Sequence, residues 1–374
     1  MIRQGQQKRS IIVFSGYNFR AVIALCRQMS KMKIKFAVIA LDKEDPIFST
    51  SYKDKVMAVR TSEALNADVL LPLILDVKTK LGLNKSVILP TSEFLNHFLI
   101  DNASVLNKSG IRVPLPGVEK YNLISNKESF MHLCAINGLA IPPEVEAKYK
   151  NIPLVFKPRE NIHEGTSLYP ILVFDNESLD DFKSSHDQKL YNCQKYIDGK
   201  SFYLLYHVKR GHYHCEVQEN LLQQSDGKSI LWARRKTGIK SAISKKYGDL
   251  LVSLKFNGLI MIEVKELNGI DYLIEANPRP WGPMQLMQNT PLIINYLRYL
   301  SGLRSSKALE RCSYSYIWLG GIIEELLARK KLSWYTKEKL ERLKIFKPMI
   351  FNDVYLRFDT IKYFFKELKK RRAK

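Results

Sequence analysis

The sequence has no run of about 18 uninterrupted apolar residues, and its basic start is not followed by an apolar stretch and a small-residue cleavage site. Neither a membrane-spanning nor a secreted chain is expected. Paired CxxC motifs are missing too. The five cysteines, Cys26, Cys134, Cys193, Cys215 and Cys312, are scattered and odd in number, which suits reduced, cytosolic thiols better than a disulfide framework. The nearest thing to a metal-binding string is "HYHCE", His212 to Glu216. Strand alternation puts His212 and His214 on one face and Cys215 on the other, so it reads as a plain strand rather than zinc ligands. Internal repeats and low-complexity linkers are absent. Acidic residues are scarce, 37 Asp and Glu against 59 Lys and Arg, for a net charge of +22. The imbalance implies an acidic partner, whether nucleotide, nucleic acid, anionic polymer or membrane surface, without choosing among them. Nucleic acid is disfavoured because no regular interleaving of aromatic and basic residues is seen.

What is present is enough apolar content, 45% of 374 residues, for two or three cored domains. Strand and helix signals alternate at the start: "SIIVFSG", then "FRAVIALCRQMSKM", then "IKFAVIAL", continued by "ALNADVLLPLILDVKTKLG" and "KSVILPTSEFLNHFL". This pattern predicts a parallel sheet with crossover helices, whose ligands sit at the carboxyl ends of the strands. Ser15 and Gly16 end the first strand, and Thr91, Ser92 and Glu93 end a later one. They are candidate substrate residues, or else ordinary turn and cap residues. The cluster "RVPLPGVEKY" marks a domain boundary. After it, Ser125 or Asn126 can cap a helix that Gly138 ends, and short strands follow through "IPLVFKPRE", "LYPILVFD", "YNCQKYIDG", "SFYLLYHVK" and "GHYHCEVQ".

The segment "LIMIEVKELNGIDYLIEANPRPWG" reads as two strands joined by a tight turn. Antiparallel pairing would set the carboxylates of Glu263 and Glu275 side by side, where each raises the other's pKa unless a cation intervenes. With the Asn277 carboxamide they form an all-oxygen set that suits Mg2+ shared with phosphate. Two lysines are also oddly placed. Lys127 stands at a helix start, against the dipole, and Lys157 stands in an apolar strand, where an unpaired ammonium is expensive. Both fit a bound triphosphate.

These segments, in this order, resemble the ATP-grasp superfamily over roughly residues 119 to 300. "NKESFMHLCAINGLAIPP" resembles the stretch before its nucleotide-binding subdomain, "PLVFKPRE" its phosphate-lysine strand, "CQKYIDG" its adenine hinge and "GLIMIEVKELNGIDYLIEANPRPWG" its metal-binding hairpin. The fold implied is α/β (α+β). It would comprise a Rossmann-like preATP-grasp domain at 1–118, an ATP-grasp domain at 119–300 and a basic helical C-terminal segment at 301–374. The resemblance implies ATP and Mg2+ as cofactors. Lys127 and Lys157 would contact the phosphates, and Gln194, Lys195, Tyr196 and Ile197 would edge adenine through the Lys195 carbonyl and the Ile197 amide. Glu263, Glu275 and Asn277 would hold the metal, and Arg279 would stabilise a transferring phosphoryl group. The loop His163 to Ser167 would close over phosphates. One of Arg234, Arg235 and Lys236, with Arg235 carried forward as catalytic, would add a further phosphate cation. The chain departs from the pattern after the hinge, where Lys200 and Ser201 stand in place of the acid that many relatives use for the ribose.

The implied activity is that of an ADP-forming carboxylate-amine ligase. Its architecture resembles ligases of cell-surface polysaccharide pathways, with an acidic sugar or an amino acid among the substrates. No Ser-His-Asp or Cys-His arrangement competes with this reading. The alternative is a nucleotide fold kept as a scaffold for polyanions or an anionic membrane surface. About half of the excess positive charge lies beyond residue 300, and Ile361, Phe364, Phe365 and Leu368 recur at helical spacing among the basic residues of the tail. Such a helix could lie on anionic lipid at the inner surface of the membrane or pack on its own protein. The expected location is cytoplasmic, peripheral only in the first case.

Overall fold

The computed structural model describes residues 7–372 except 62–63, 160–161, 164–165, 226, 239, 305–313 and 337; at 162–163, 166–167 and 372 it describes the backbone alone. The first domain is built from β1 (Ser10–Phe14), α1 (Phe19–Lys31), β2 (Phe36–Ala40), β3 (Val56–Val59), α2 (Ala67–Leu81), β4 (Ser86–Ile88), α3 (Glu93–Asp101), α4 (Ala103–Lys108) and β5 (Ile111–Arg112). The strands are parallel in the order β3-β2-β1-β4-β5. β1, β2 and β4 are buried throughout, as strands covered by helices on both faces must be. The chain leaves β1 toward one edge and β4 toward the other, so a crevice opens past the ends of these two neighbours. Gly16 and Thr91 to Glu93 stand at that crevice.

Two helices lead onward, α5 (Val118–Ser125) and α6 (Lys127–Ile136). Asn126, rather than Ser125, caps α6: its side chain accepts from the Ser129 amide at 2.9 Å. Then come β6 (Leu154–Pro158), the short pair β7 (Ile162–His163) and β8 (Thr166–Ser167), β9 (Ile171–Val173), α7 (Asn176–Ser185) and β10 (Tyr191–Lys195). β10, β6 and β9 form an antiparallel sheet in that order, whose apolar face is covered by α7 through a stacked Phe156–Phe182 pair at 3.6 Å.

The largest sheet is antiparallel. It contains β11 (Lys200–Lys209), β12 (His212–Gln223), β13 (Ile230–Lys236), β14 (Gly258–Leu267) and β15 (Ile270–Asn277), with α8 (Ser241–Ser253) between β13 and β14. The β14–β15 turn places Asn268 and Gly269 at φ 52° and 79°, the left-handed pair that a two-residue hairpin turn requires. Gly199, just past β10, passes so near the Glu266 carbonyl that a Cβ would lie 2.2 Å from its oxygen. Only glycine permits that approach. The "HYHCE" segment is a strand, as expected, with His214 Nε2 3.5 Å from Glu216.

The last part of the chain holds α9 (Pro291–Ser301), β16 (Ser315–Ile317), α10 (Leu319–Leu327), β17 (Ser333–Trp334), α11 (Lys339–Leu343), α12 (Phe346–Phe351) and α13 (Ile361–Arg372). It is helical, as its periodicity predicts, but it also completes the large sheet, β16 pairing with β13 and β17 with β12. Among the described residues no helix is long and apolar enough to cross a membrane. The tail helix is docked. Phe364 is buried, Ile361 and Leu368 pack against the same core as α1 and α9, and Phe365 alone of the four points outward, 61% exposed. Trp318 Nε1 donates to Glu367 at 3.3 Å, and Arg371 pairs with Glu324 and Glu367. Asp359 ties this segment to the first domain through a two-bond Arg27 fork at 2.7 Å and the Tyr52 hydroxyl at 2.6 Å. Burial would raise the Asp359 pKa, but the Arg27 contacts outweigh it and hold the carboxyl low. The side of the tail helix that a lipid surface would need is thus spent on the protein. Phe364→Ala should therefore destabilise the whole protein by about 3 kcal/mol, measured by urea denaturation. A tail that merely lay on a vesicle would leave the midpoint unchanged.

Candidate active site

The large sheet, the three-stranded sheet and the crevice of the first domain enclose a cavity of about 670 Å³. Its floor is the β14–β15 hairpin. Glu263 and Glu275 are direct cross-strand partners, and the register shifts immediately after them because Ile274 is an extra residue on β15. A bulge leaves its extra residue out of the ladder. Here the Ile274 carbonyl turns to Lys157, whose Nζ donates to it at 2.8 Å from β6 in the neighbouring sheet.

Each glutamate is held from its own side. Ser201 Oγ donates to Glu263 at 3.1 Å and accepts from Asn220 at 2.8 Å, while Gln218 donates to Asn220 at 2.7 Å. Asn277 Nδ2 donates to Glu275 at 2.7 Å, and Arg279 donates to the Asn277 carbonyl oxygen of its side chain at 3.2 Å. The "NPRPW" turn is clamped by the first domain. Asn18 donates to the Pro280 carbonyl at 2.8 Å, Asn96 reaches the Pro278 carbonyl at 3.4 Å, and Trp281 is buried.

The charges here are not settled among themselves. Burial, and then Glu275, raises the pKa of Glu263. Burial, with Lys127 adding, lowers Lys157 to about 8, although Glu275 and Glu263 pull the other way. Burial also lowers Lys127 against the attraction of Glu275 and Glu93. Among the described residues no three His, Cys, Asp or Glu side chains close around a metal position. The donor set is two carboxylates and one carboxamide, hard oxygen ligands that would leave positions open for phosphate oxygens and water, a good fit to Mg2+.

Gln194, Lys195, Tyr196 and Ile197 form one wall. The Lys195 and Tyr196 amides are taken by Pro143 and Pro153 carbonyls at 3.0 and 3.1 Å. The Ile197 amide makes no hydrogen bond among the described residues, so it is free to donate into the cavity. Gln194 donates to Met131 Sδ at 3.4 Å, and its buried Oε1 has no partner among the described residues.

Lys127, Lys157, Gln194, Lys195, Tyr196, Ile197, Glu263, Glu275, Asn277, Arg279, Gly16, Thr91, Ser92 and Glu93 all line this one cavity. Ser15 does not. It is buried behind Gly16 with its hydroxyl donated to Asp45 at 2.8 Å, so it positions a loop instead of facing substrate. The cation expected from "WARRKTGIK" is likewise not brought there. Arg235 lies on the cavity side of the large sheet but three strands from Glu263, about 14 Å across the ladder, and turns to Glu216 at 3.5 Å and the Tyr314 ring at 5.3 Å. Arg234 and Lys236 face away, toward Glu219 at 2.5 and 3.3 Å. Lys200 is exposed and Ser201 is committed to Glu263, so neither lines the cavity. Glu164 and Gly165 of the expected phosphate loop lie outside the described residues, as do the side chains of His163, Thr166 and Ser167.

Sequence reasoning passed over Tyr17, Asn18, Lys228, Lys265 and Tyr335, all of which line the cavity. Lys265 had a usable signal: it is two residues from Glu263 on a strand, hence on the same face. Tyr335 had none, because it arrives from the far end of the chain on the residue after β17.

No protein-family model and no curated protein matches the chain. Solved structures do. The biotin carboxylase domain of Hydrogenobacter thermophilus 2-oxoglutarate carboxylase, in complex with MgADP, ADP and bicarbonate, superimposes with a TM-score of 0.60 at 14% identity, over 83% of this chain and 73% of that one. L-amino acid ligase from Bacillus licheniformis gives 0.58 at 15% identity, over 83% and 79%. N5-carboxyaminoimidazole ribonucleotide synthetase from Thermus thermophilus gives 0.56 at 15%, over 80% of each chain. At such identities the likeness speaks for the fold, and the fold of this chain is the ATP-grasp fold behind an N-terminal parallel-sheet domain.

Proposed function

We propose that this chain is an ATP-dependent, ADP-forming carboxylate-amine ligase. The observation that carries the proposal is the pair of opposed carboxylates, Glu263 and Glu275, set in register within one cavity beside Lys127, Lys157 and Arg279. Buried lysines are pushed toward neutrality and a buried glutamate toward protonation. A magnesium-bound triphosphate brings a cation to the carboxylates and anions to the lysines, so it relieves both penalties together. The structures of similar fold include a carboxylase domain with MgADP and an amino acid ligase.

In this reading Glu263, Glu275 and Asn277 hold Mg2+, which would draw charge from the phosphate oxygens. Lys127 and Lys157 hold the triphosphate, and the base lies against Gln194 to Ile197 with the Ile197 amide as a donor. The substrate carboxylate enters from the crevice at Gly16, Thr91, Ser92 and Glu93. Its oxygen attacks the terminal phosphorus as the bond to the bridging oxygen breaks and ADP leaves. Arg279 lies beside that point and stabilises the charge on the phosphoryl in flight. A neutral amine then attacks the acyl carbon, phosphate departs with the acyl C–O bond, and the amine loses a proton. No nucleophilic side chain is needed.

An acidic sugar or an amino acid as substrate, and a place in cell-surface polysaccharide synthesis, belong to the same proposal. They are supported by the strongly basic chain and by the order of its domains. Cytoplasmic placement is supported by the four described cysteines, all free. The scaffold reading, with the tail helix on an anionic membrane, is weakened by the docking of that helix on the core. The deciding experiment screens carboxylate and amine pairs for ATP-dependent phosphate release and weighs the products. ADP with a condensed product supports the proposal, and AMP would replace it with an adenylate mechanism.

Two variants probe the site directly. Glu275→Gln keeps the side-chain volume and an oxygen for Asn277, and it removes the repulsion with Glu263. Thermal melting should show the ligand-free protein unchanged or slightly stabilised, while the extra stabilisation by ATP with Mg2+ over ATP alone should largely vanish. A surface ion pair would give the reverse, a small loss without ligand and an intact Mg-ATP shift. Lys157→Ala should weaken ATP binding by about 1.5 to 3 kcal/mol, the usual worth of a hydrogen bond to a charged group. Unaltered affinity by calorimetry in a folded variant would remove Lys157 from the phosphate site.

A further inference from the structure

We propose that Lys265 reads the ribose of the bound nucleotide. The inference rests on the ATP reading above and assigns a residue that the reading does not use. Lys265 is 8% exposed and lines the cavity, yet it makes no hydrogen bond or ion pair among the described residues. Its Nζ instead lies over two aromatic faces, Tyr196 at 4.5 Å and Tyr335 at 5.2 Å. An ammonium carries three donors and no acceptor. Ring faces attract its charge but leave those donors without oxygen partners, which is costly in a desolvated place.

Its position narrows what the missing partner is. Along β14 it is two residues from Glu263, about 7 Å, and on the same face. Across the ladder it stands opposite Ser201, whose hydroxyl is already committed to Glu263. On its other side is the hinge, represented by the Tyr196 ring and, next to it, the free Ile197 amide. The phosphates belong at Glu263 and Lys157, and the base belongs at the hinge. The group that joins base to phosphates is the sugar, and its hydroxyl oxygens are acceptors for a donor-only side chain. The acids nearby attract the Lys265 charge, Glu263 from the same strand and Asp198 from the end of the hinge, but Asp198 is exposed and does not line the cavity, Lys200 is exposed too, and Ser201 has given its hydroxyl to Glu263. Tyr335, bonded through its hydroxyl to Gln223, closes the same spot from the C-terminal segment.

The test is calorimetry with ATP and 2′,3′-dideoxy-ATP, each with Mg2+, on the wild type, Lys265→Met and Lys265→Arg. The dideoxy compound lacks both hydroxyl oxygens and keeps the base and phosphates. Wild type should prefer ATP on the order of tenfold, the worth of one charge-assisted hydrogen bond. Lys265→Met, which keeps the apolar stem between the two tyrosines, should lose that preference by weakening for ATP alone. Lys265→Arg should retain a preference, and the wild-type and arginine ratios decide the matter if the methionine variant does not fold. An equal loss for both nucleotides in Lys265→Met would move the contact to base or phosphate and overturn the proposal, as would a wild type indifferent to the hydroxyls. A wild type that binds neither nucleotide would overturn the ATP reading itself.

Discussion

Two carboxylates facing each other across one hairpin, Glu263 buried and Glu275 half-buried, form an arrangement that a fold tolerates only if something holds them there. Much of the centre of this molecule can be read as that support. The bulge at Ile274 falls immediately beside the pair and frees a backbone carbonyl, which fixes Lys157 from another sheet. A side-chain relay from Gln218 through Asn220 and Ser201 ends on Glu263, and a second from Arg279 through Asn277 ends on Glu275. The first relay passes across three neighbouring strands and the second starts on the turn after β15 and ends on that strand, and the pleat of a strand fixes side-chain direction more firmly than a loop would. Each glutamate is therefore held by a side-chain hydrogen bond that opposes its rotation away from the other.

The same constraint explains why three separate units are fused around the cavity. Lys157 and Gln194 to Ile197 come from the small sheet and its end, Glu263, Glu275 and Asn277 from the large one, and Gly16 with Thr91 to Glu93 from the end of the parallel sheet. A cavity shared in this way keeps its shape only if the units cannot slide. Asn18 and Asn96 clamp the turn that carries Arg279, and α1, α9 and α13 share one continuous apolar core. Arg27 and Asp359 lock the ends of the chain together. The basic tail thus belongs to the machinery that holds the first domain against the large sheet.

What the sequence reveals and what it hides follow from the range of the interactions. The Glu263–Glu275 register is legible because a two-residue Asn-Gly turn sets it locally, and the alternation of the strands then assigns faces. Lys157 is legible because an ammonium amid Leu154, Val155 and Phe156 has no bland explanation. Arg235 misleads because alternation gives the right face but says nothing of how many strands intervene. Ser15 misleads because its partner, Asp45, comes from a loop that no local pattern connects to it. Lys265 is placed on the face of Glu263 by alternation, but nothing local tells that Tyr335, about seventy positions away, covers it. The docked tail is ambiguous in sequence for a plain reason: one amphipathic stripe serves a lipid surface or a protein core equally well.

The net charge of +22 invites the idea that nucleotide is captured by bulk positive potential, and the geometry argues against it. The cations that line the cavity, Lys127, Lys157, Lys195, Lys228, Lys265 and Arg279, stand among Glu93, Glu263 and Glu275, so the local balance is milder than the chain's. About half of the excess lies beyond residue 300, where arginines and lysines are tied into pairs such as Arg371 with Glu324 or left in solvent. Charges spread over a surface act at distances comparable to the Debye length, about 8 Å at physiological salt, and chiefly quicken encounters with anions. In the proposed reading, affinity and chemistry at the cavity would depend instead on a few desolvated groups whose protonation is shifted first by burial and then by one another. Salt would then slow arrival far more than it would loosen the bound complex, because the contacts that hold the ligand are buried and screened least.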